Sequence, residues 1–294
     1  MHLDPRRCDA FLAAVDSGSL EQAAALLHVT PSAVSQRIAA LEQDLGAPLL
    51  VRSRPCRPTA PGTRLVQFLR RRALLDAEYA AELIDTAAPM RVALAVNNDT
   101  LATWLLPLLA PLLIEEQLLV EFVLDNQGHT FALLEQGRAV ACISTEPEPM
   151  RGCSANYLGL MRYKMVATPG FAQRWFPAGL QRDAARHAPV MVFDRKDALQ
   201  TQFLQEQLGL PDGAFPFHYM PSSEAFAQAL TLGLGYGMLP LEQCAALLAT
   251  GELIDLAPDV ALDVPLNWHA WRVQPVRLER MGNGLVKAAR AVLI

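Results

Sequence analysis

Apolar residues at helical spacing predict three short helices in the first 45 residues. Each helix begins with a capping pattern, namely Asp4 before a proline, Ser19 with a glutamine three positions later, and Thr30 before a proline. Gly18 is expected to end the first helix. A tight connection joins the second and third helices, which predicts a helix-turn-helix. The residues expected to face the core are Phe11, Leu12, Val15, Ala23, Ala24, Leu27, Val34, Ile38 and Leu41.

The outward face of the third predicted helix carries small or forked hydrogen-bonding groups near its N-terminus, where base edges in a major groove are reached. Residues 49–59 then fit a short strand, a turn and a return strand, which form a basic wing. The alternative is a solvated, arginine-rich loop on an ordinary three-helix domain. The candidate DNA-binding residues are Thr30, Pro31, Ser32, Ser35, Gln36 and Arg37 on the helix and Arg52, Arg54 and Arg57 on the wing.

A longer amphipathic pattern follows the wing. Thr59 is expected to cap a helix that runs to about residue 86, and Ala87, Ala88 and Pro89 form a hinge. The apolar stripe of this helix has no cover in its own short domain, so we expect a second subunit to pack on it, with packing on the chain's own sensor domain as the alternative. The stripe consists of Leu65, Phe68, Leu69, Leu75, Tyr79 and Leu83.

From Arg91 the pattern alternates between strands and helices. Such alternation predicts a mainly parallel sheet covered on both faces, with ligands at the carboxyl ends of the strands. The expected strands are 91–96, 120–124, 139–144, 161–168, 190–193, 218–220 and 267–273, and a last helix starts near Val276.

The charge is divided unevenly along the chain. The first 72 residues contain ten arginines, no lysine and six acidic residues, a net charge of +4, and the remaining residues carry −9. A basic end on an acidic body favours a DNA-binding domain joined to a domain that does not contact phosphate. Charges interrupt the first thirty residues, and the longest apolar run, 101–114, contains two prolines. These features predict a cytoplasmic protein with no membrane contact.

The sequence offers no pattern for catalysis or for a metal. The five cysteines are scattered, without a CxxC pair, and we expect no cofactor and no metal site. GxSxG, HExxH and P-loop patterns do not occur, so an enzyme is not expected. The glycine run at Gly233, Gly235 and Gly237 lacks dinucleotide-binding spacing and predicts a tight turn into a buried strand. His129 is expected to be a structural, hydrogen-bonded histidine.

The N-terminal motifs carry a family resemblance. Residues 19–24, 27–38, Leu41-Glu42, Leu45-Gly46 and Pro58-Thr59 resemble the winged helix-turn-helix of LysR-type transcriptional regulators. The resemblance implies an α+β multidomain fold, in which a winged helix-turn-helix and a long linker helix precede a two-lobed α/β effector domain similar to periplasmic binding proteins. It also implies duplex DNA, a small effector and RNA polymerase as partners, and a homodimer or a tetramer.

Motifs further along resemble one branch of that family, the ArgP/LysG branch. The resemblance implies lysine or arginine as effector and a basic amino-acid exporter of the LysE/ArgO type as target. Asn126 and Gly128 depart from the branch, which more often has acids there. The matching segments are 97–99, 103–104, 129–130, 152–153, 161–163, 174–177, 188–190, 193–197 and 221–226, together with 54–57 in the wing.

Polar residues at four predicted strand ends form the candidate effector site. We expect Asp99 to bind an ammonium group and Ser222 and Ser223 to bind the α-carboxylate. Glu146 and Asp194 are candidates for the side-chain cation, because a buried cation needs a carboxylate partner. The alternatives are plain helix caps and solvated loop charges. The full candidate set is Asn98, Asp99, Thr100, Thr145, Glu146, Asp194, Ser222, Ser223 and Glu224.

These patterns predict a DNA-binding domain at 1–58, a linker helix and hinge at 59–88, and an effector domain at 89–294. Its first lobe is expected at about 89–160 and 266–294, and its second at about 161–265. The predicted function is sequence-specific transcriptional regulation controlled by lysine or arginine. A regulator with a different amino-acid or metabolite effector, and an amino-acid-binding module without a DNA function, are the alternatives.

Overall fold

The computed structural model describes residues 3–84, 89–126 and 128–294. The chain divides into two compact units, Met1–Met90 with Ala132–Val140, and Arg91–Phe131 with Ala141–Ile294. Among the described residues, no helix has the length and apolar character needed to cross a membrane. The predicted hinge residues Ala87 and Ala88, and the predicted helix end near residue 86, lie outside the described residues.

Three helices open the first unit, as the capping patterns predict: α1 (Pro5–Ser17), α2 (Leu20–Leu26) and α3 (Pro31–Leu45). The Asp4 carboxylate accepts the backbone N–H groups of the next turn, and the Ser19 and Thr30 hydroxyls accept N–H groups three residues on. Each cap satisfies donors that a helix start otherwise leaves free. Gly18 ends α1 at φ 68°, a left-handed conformation that suits glycine.

The predicted wing and linker helix follow. Strands β1 (Leu50–Val51) and β2 (Arg57–Pro58) pair antiparallel. Helix α4 (Ala60–Ile84) begins after Thr59, whose hydroxyl accepts the N–H of Gly62 at 3.1 Å. Three residues at the start of α4 join the core of the helix-turn-helix, so this end of the linker is fixed to the DNA-binding fold. They are Leu65, Val66 and Leu69, which pack with Phe11, Val34, Ile38, Leu41 and Leu49.

The second unit is built on one twisted sheet. The strands of this unit are β3 (Met90–Val96), β4 (Leu118–Leu124), β5 (Ala141–Ser144), β6 (Cys153–Ala167), β7 (Val190–Val192), β8 (Phe217–Tyr219), β9 (Gly237–Pro240), β10 (Ile254–Asp255) and β11 (Leu262–Trp271). The strand order of the sheet is β10-β6-β11-β5-β3-β4, with β9 paired to β6. Strands β7 and β8 pair in parallel beside it.

The expectation of a mainly parallel sheet is wrong for this unit. Strand β6 pairs antiparallel with β9, β10 and β11, and β11 pairs antiparallel with β5, whereas β3 pairs in parallel with β5. The reason is that β6 and β11 are long crossing strands, side by side from Cys153 opposite Trp271 to Tyr163 opposite Leu262. The chain leaves one lobe along β6 and returns along β11, which gives the two-lobed domain.

Helices cover both lobes of this sheet. The glycine run leads into the buried strand β9, and a Cβ at Gly235 would lie 2.8 Å from the carbonyl oxygen of Pro189. That close approach explains a glycine in this turn. The helices are α5 (Asn98–Thr100), a π-helical turn (Leu101–Leu105), α6 (Leu106–Glu115), α7 (Thr130–Glu135), α8 (Pro169–Trp175), α9 (Arg182–Ala185), α10 (Leu199–Leu208), α11 (Ser223–Thr231), α12 (Leu241–Thr250) and α13 (Val276–Ala289).

Candidate functional site

A pocket of about 430 Å³ lies within the second unit, between the two lobes that β6 and β11 connect. That volume suits a small organic ligand. Its apolar wall consists of Phe193, Ala198, Leu199, Phe226, Met238, Leu239, Leu262, Val264 and Pro265. Its other wall residues are Asn97, Asn98, Asp99, Asn126, Gly128, His129, Thr145, Lys196, Asp197, Gln200, Gln202, Ser223 and Asp263.

Asp99 joins the two lobes through its carboxylate. Its Oδ1 accepts the hydroxyl of Ser223 at 2.7 Å, and its Oδ2 accepts the hydroxyl of Tyr163 at 2.9 Å. The Ser223 oxygen in turn accepts the side-chain amide of Gln243 at 2.9 Å. Asp99 is half-buried at the start of α5, Ser223 begins α11 in the other lobe, and Tyr163 is fully buried on β6. The Asp99 carboxylate thus accepts hydrogen bonds from hydroxyl groups of α11 and β6.

The electrostatics around Asp99 leave its charge uncompensated. Burial raises the pKa of Asp99, and the negative charges of Asp197 and Glu224 raise it further, while the bonds from Ser223 and Tyr163 oppose the rise. Among the described residues, no cationic side chain lowers the pKa of Asp99. Burial and the Asp99 carboxylate also hold the pKa of Tyr163 well above its ordinary value, so that its hydroxyl stays a donor. A cationic ligand would supply the missing charge.

Two other carboxylates of the wall already have their partners. Asp197 accepts the backbone N–H groups of Phe193 and Leu199 and the side-chain amide of Gln200, all at 2.9 to 3.0 Å. Asp263 on β11 binds Arg162 through two bonds of 2.7 Å, and the hydrogen bond from Arg162 lowers the pKa of Asp263. Asp263 is therefore paired with a cation within the protein, whereas the donors on Asp197 are all neutral groups.

Two contacts connect the lobes at the rim of the pocket. The Lys196 Nζ lies 2.9 Å from Asp125 Oδ1, which follows β4, and the Asn126 side-chain amide donates to Asp194 Oδ1 at 3.0 Å. Burial is the largest single influence on the pKa of Asp125 and raises it, but the hydrogen bonds from Lys196 and the backbone of Asn126, with the charge of Lys196, together lower the pKa of this carboxyl. Lys196 and Asp194 both follow β7, so this rim joins the ends of two strands from different lobes.

Four of the nine predicted effector residues line the pocket, namely Asn98, Asp99, Thr145 and Ser223. The Ser223 hydroxyl donates to Asp99, and a ligand carboxylate beside it would meet the negative charge of Asp99. This arrangement does not favour the expected carboxylate contact at Ser223.

The other five predicted residues are not part of the pocket wall. Thr100 is buried, with its hydroxyl toward the sulfur of Met161. Glu146 is exposed and accepts a backbone N–H of its own loop. The Asp194 carboxylate accepts backbone N–H groups of its own turn, Ser222 caps α11, and Glu224 accepts the Ser222 hydroxyl. Contacts within the protein thus occupy these groups.

Several wall residues were not among the predicted ones. Lys196 and Asp197 follow β7 next to Asp194, which is the one predicted effector residue in this turn. Asp263 lies on the crossing strand β11 and not after a strand, so the strand-end rule does not identify it. Asn126, Gly128 and His129 also line the pocket, although His129 was expected to be structural. In the described ranges, no group of three metal-ligating side chains has the geometry of a metal site.

The candidate DNA-binding residues lie together on the first unit. Thr30, Pro31, Ser32 and Gln36 are exposed, and Ser35 and Arg37 are half-buried. Their helix, α3, packs on α1 and α2 through buried Val34, Ile38 and Leu41, so its polar face is turned to solvent.

The wing stands beside α3. Arg52, Arg54 and Arg57 are exposed, and the Arg52 guanidinium donates to the Ser35 hydroxyl at 3.2 Å. Arg54 lies 4.0 Å from Glu21, and 95% of its side-chain surface is exposed. Three exposed guanidinium groups next to a helix N-terminus form a surface suited to a phosphate backbone.

Comparisons with known proteins account for both units. Residues 5–63 match the family described as bacterial regulatory helix-turn-helix protein, lysR family, and residues 89–289 match the LysR substrate binding domain. The transcriptional regulator ArgP of Aeromonas salmonicida is 38% identical, over 99% of this chain and 98% of that protein.

Two solved structures are similar over nearly the whole chain. ArgP from Mycobacterium tuberculosis has a TM-score of 0.84 and 36% identity, with 99% of each chain covered. Full-length LysG from Corynebacterium glutamicum with bound effector Arg has a TM-score of 0.81 and 34% identity, with 99% of each chain covered.

Proposed function

Because the chain belongs to the LysR family of bacterial transcriptional regulators, we propose that its pocket binds a basic amino acid, arginine or lysine, and that this effector sets its activity on DNA. Membership of the family makes the chain a DNA-binding transcriptional regulator and not an enzyme. The identity of the effector is the proposal, and the pocket supplies the argument for it.

The observation that carries the proposal is the state of Asp99. Its carboxylate faces the pocket with two hydroxyl partners, and the negative charge of Asp197 adds to its own. A buried charge without a counterion is costly, so a ligand that brings a cation gains the interaction that the protein lacks. An ammonium or guanidinium group on Asp99 satisfies this requirement.

The rest of the wall suits an amino acid with a long side chain. Phe193, Phe226 and Met238 provide apolar surface for methylene groups, while Asn98 and Thr145 provide hydrogen-bonding groups. The related LysG structure was solved with the effector Arg, which agrees in chemistry with a ligand that carries one carboxylate and two cationic groups.

Calorimetry with arginine, lysine and norleucine tests the proposal. Norleucine keeps the α-amino and α-carboxyl groups and an unbranched side chain but lacks the terminal cation. We expect norleucine to bind at least about tenfold more weakly than lysine, because a hydrogen bond to a charged group contributes about 1.5–3 kcal/mol. Equal affinity for lysine and norleucine would show that the pocket does not recognise a side-chain cation.

We further propose that the three segments predicted from the sequence have separate roles. Residues 1–58 bind DNA, 59–88 link and dimerise, and 89–294 bind the effector. The regulated gene encodes an exporter of basic amino acids, so that excess effector induces its own removal, and RNA polymerase is the partner at the promoter. Footprinting of the promoter of such an exporter, with and without arginine, tests the target. No footprint on that promoter would contradict the target, and a footprint that saturating arginine leaves unchanged would contradict control by this effector.

A further inference from the structure

Among the described residues of the pocket wall, Lys196 is the one lysine or arginine. Facing it are the carboxylates of Asp99, Asp197 and Asp263, of which Asp263 is paired with Arg162. An amino-acid effector brings a carboxylate into this mainly anionic pocket. The carboxylate is repelled by Asp99 and turns toward a donor elsewhere in the wall.

We propose that Lys196 binds the α-carboxylate of the effector and that it exchanges Asp125 for this carboxylate when the effector enters. The proposal rests on the proposed function, because it assigns one end of the same amino-acid ligand. It makes Lys196 a specificity-determining residue, which selects ligands that carry a carboxylate over amines and guanidines that lack one.

The turn that carries Lys196 is held by backbone hydrogen bonds, while its long side chain is held only at its end, by Asp125. Asp194 Oδ1 accepts the backbone N–H groups of Lys196 and Asp197, at 2.7 and 3.1 Å, and Asp197 is bonded to its own turn. The backbone at residue 196 is therefore fixed, and the four-carbon stem of the lysine provides the reach. Lys196, Asp197 and Asp99 all line the pocket, so this turn and Asp99 face the same space.

The present partner of Lys196 is easily replaced. The Lys196 side chain is 53% exposed in its ion pair with Asp125, at 2.9 Å. Solvent reaches the lysine end and screens the pair, while Asp125, which is 24% exposed, keeps the backbone N–H of Asn126 at 2.9 Å when the lysine leaves. A ligand carboxylate inside the pocket, farther from water, is a stronger partner for the same ammonium group. When Lys196 leaves Asp125, one of the contacts between the lobes is lost, so effector binding changes the contacts at the rim of the pocket.

Arginine and its decarboxylated analogue agmatine test the proposal by calorimetry on the full-length protein. We expect wild type to bind arginine at least tenfold more tightly than agmatine, because only arginine engages Lys196. Lys196→Met should lower the arginine affinity to about that of agmatine and leave the agmatine affinity unchanged. Lys196→Arg should keep most of the discrimination, since it retains the cation.

Two further variants control for position and for exchange. Arg195→Met removes a neighbouring cation that lies over the Tyr219 ring and outside the pocket wall, so both affinities should stay unchanged. Asp125→Asn frees Lys196 and should raise the arginine affinity severalfold without changing that of agmatine. A decrease instead would show that Lys196 stays on Asp125 in the bound state.

The outcomes separate this inference from the proposed function. Equal losses for arginine and agmatine in Lys196→Met, or no loss for either, would overturn the role of Lys196 while arginine binding itself stands. The same effect in Arg195→Met would assign the discrimination to net charge and not to this residue. If wild type bound neither arginine nor lysine, the proposed function would fail, and the role of Lys196 would fail with it.

Discussion

The carboxylate of Asp99 has opposite effects on binding and on stability. Because burial, with the charges of Asp197 and Glu224, raises its pKa, the folded protein holds a proton here more tightly than the unfolded chain does. Asp99 therefore contributes stability to the unliganded protein below pH 3.8, its ordinary pKa, and this contribution is lost as pH rises through the raised pKa. A binding site that is destabilising without its ligand is a common cost of function.

Replacing Asp99 by asparagine tests this balance. Asp99→Asn keeps hydrogen bonds available to Ser223 and Tyr163 but removes the charge, so the unliganded variant should melt at a higher temperature than wild type at neutral pH. Its affinity for arginine should fall at least about tenfold, because the charged acceptor is lost. Thermal unfolding and calorimetry on the same samples measure both effects. A variant that is destabilised and still binds arginine at wild-type affinity would contradict this role.

The same residue predicts the pH dependence of effector binding. A protonated Asp99 must lose its proton before it can pair with a cation, so arginine affinity should decrease as pH falls through the raised pKa. Binding should release a proton in that range, which calorimetry in buffers of different ionisation enthalpy detects. Asp99→Asn should show neither effect. A pH dependence that persists in this variant would assign the proton to another group.

Sequence reasoning identified part of this site. Asp99, Thr145 and Ser223 were predictable because they follow strands or begin helices, where polar groups are exposed at a sheet edge. Glu146 and Asp194 follow the same rule and are absent from the wall, since the sequence does not reveal which carboxylates accept nearby N–H groups.

At the level of single elements, local chemistry determined what could be predicted. The starts of α1, α2 and α3 were predictable because each cap is a contact within four residues of chain. The starts of β6 at Cys153 and of β11 at Leu262 were not, since these strands are defined by their pairing with each other across about a hundred residues. Asp263, which lies on β11, was missed for the same reason.

The helix α3 and the wing are expected to contribute differently to DNA binding. Arg57→Ala removes an exposed wing charge, so it should weaken binding to all sequences alike and reduce the salt slope by about 1. Gln36→Ala removes a candidate base contact, so it should lower the preference for the operator and leave the salt slope unchanged. Titrations at several salt concentrations, with operator and unrelated duplexes, measure both quantities. If the two variants behaved identically, α3 and the wing would not have separate roles.

For the whole molecule, the main prediction concerns the uncovered face of the linker helix. Leu65 and Leu69 are buried in the first unit, but Phe68, Tyr79 and Leu83 are 44%, 64% and 68% exposed. Only the first part of the predicted apolar stripe is therefore buried within the first unit. Large apolar side chains left exposed along one helix are typical of an interface. We expect α4 to pair with α4 of a second copy of the chain.

A homodimer also fits the way in which a helix-turn-helix binds DNA. The two recognition helices of a dimer contact half-sites that lie about 34–36 Å apart, which is one helical turn, or a multiple of that distance.

Substituting Tyr79→Ser and Leu83→Glu together should raise the dimer dissociation constant at least about tenfold. Burying one such side chain contributes about 1.5–3 kcal/mol, and a symmetric interface loses each contribution twice. Sedimentation velocity over a range of concentrations measures the dissociation constant, and Glu82→Ala, an exposed neighbour in the same turn, is the control. Operator binding should weaken in parallel, while calorimetry should find the arginine affinity unchanged, because the effector pocket lies within the second unit of one chain. A double variant that sediments like wild type at every concentration would exclude this face of α4 as the dimer interface.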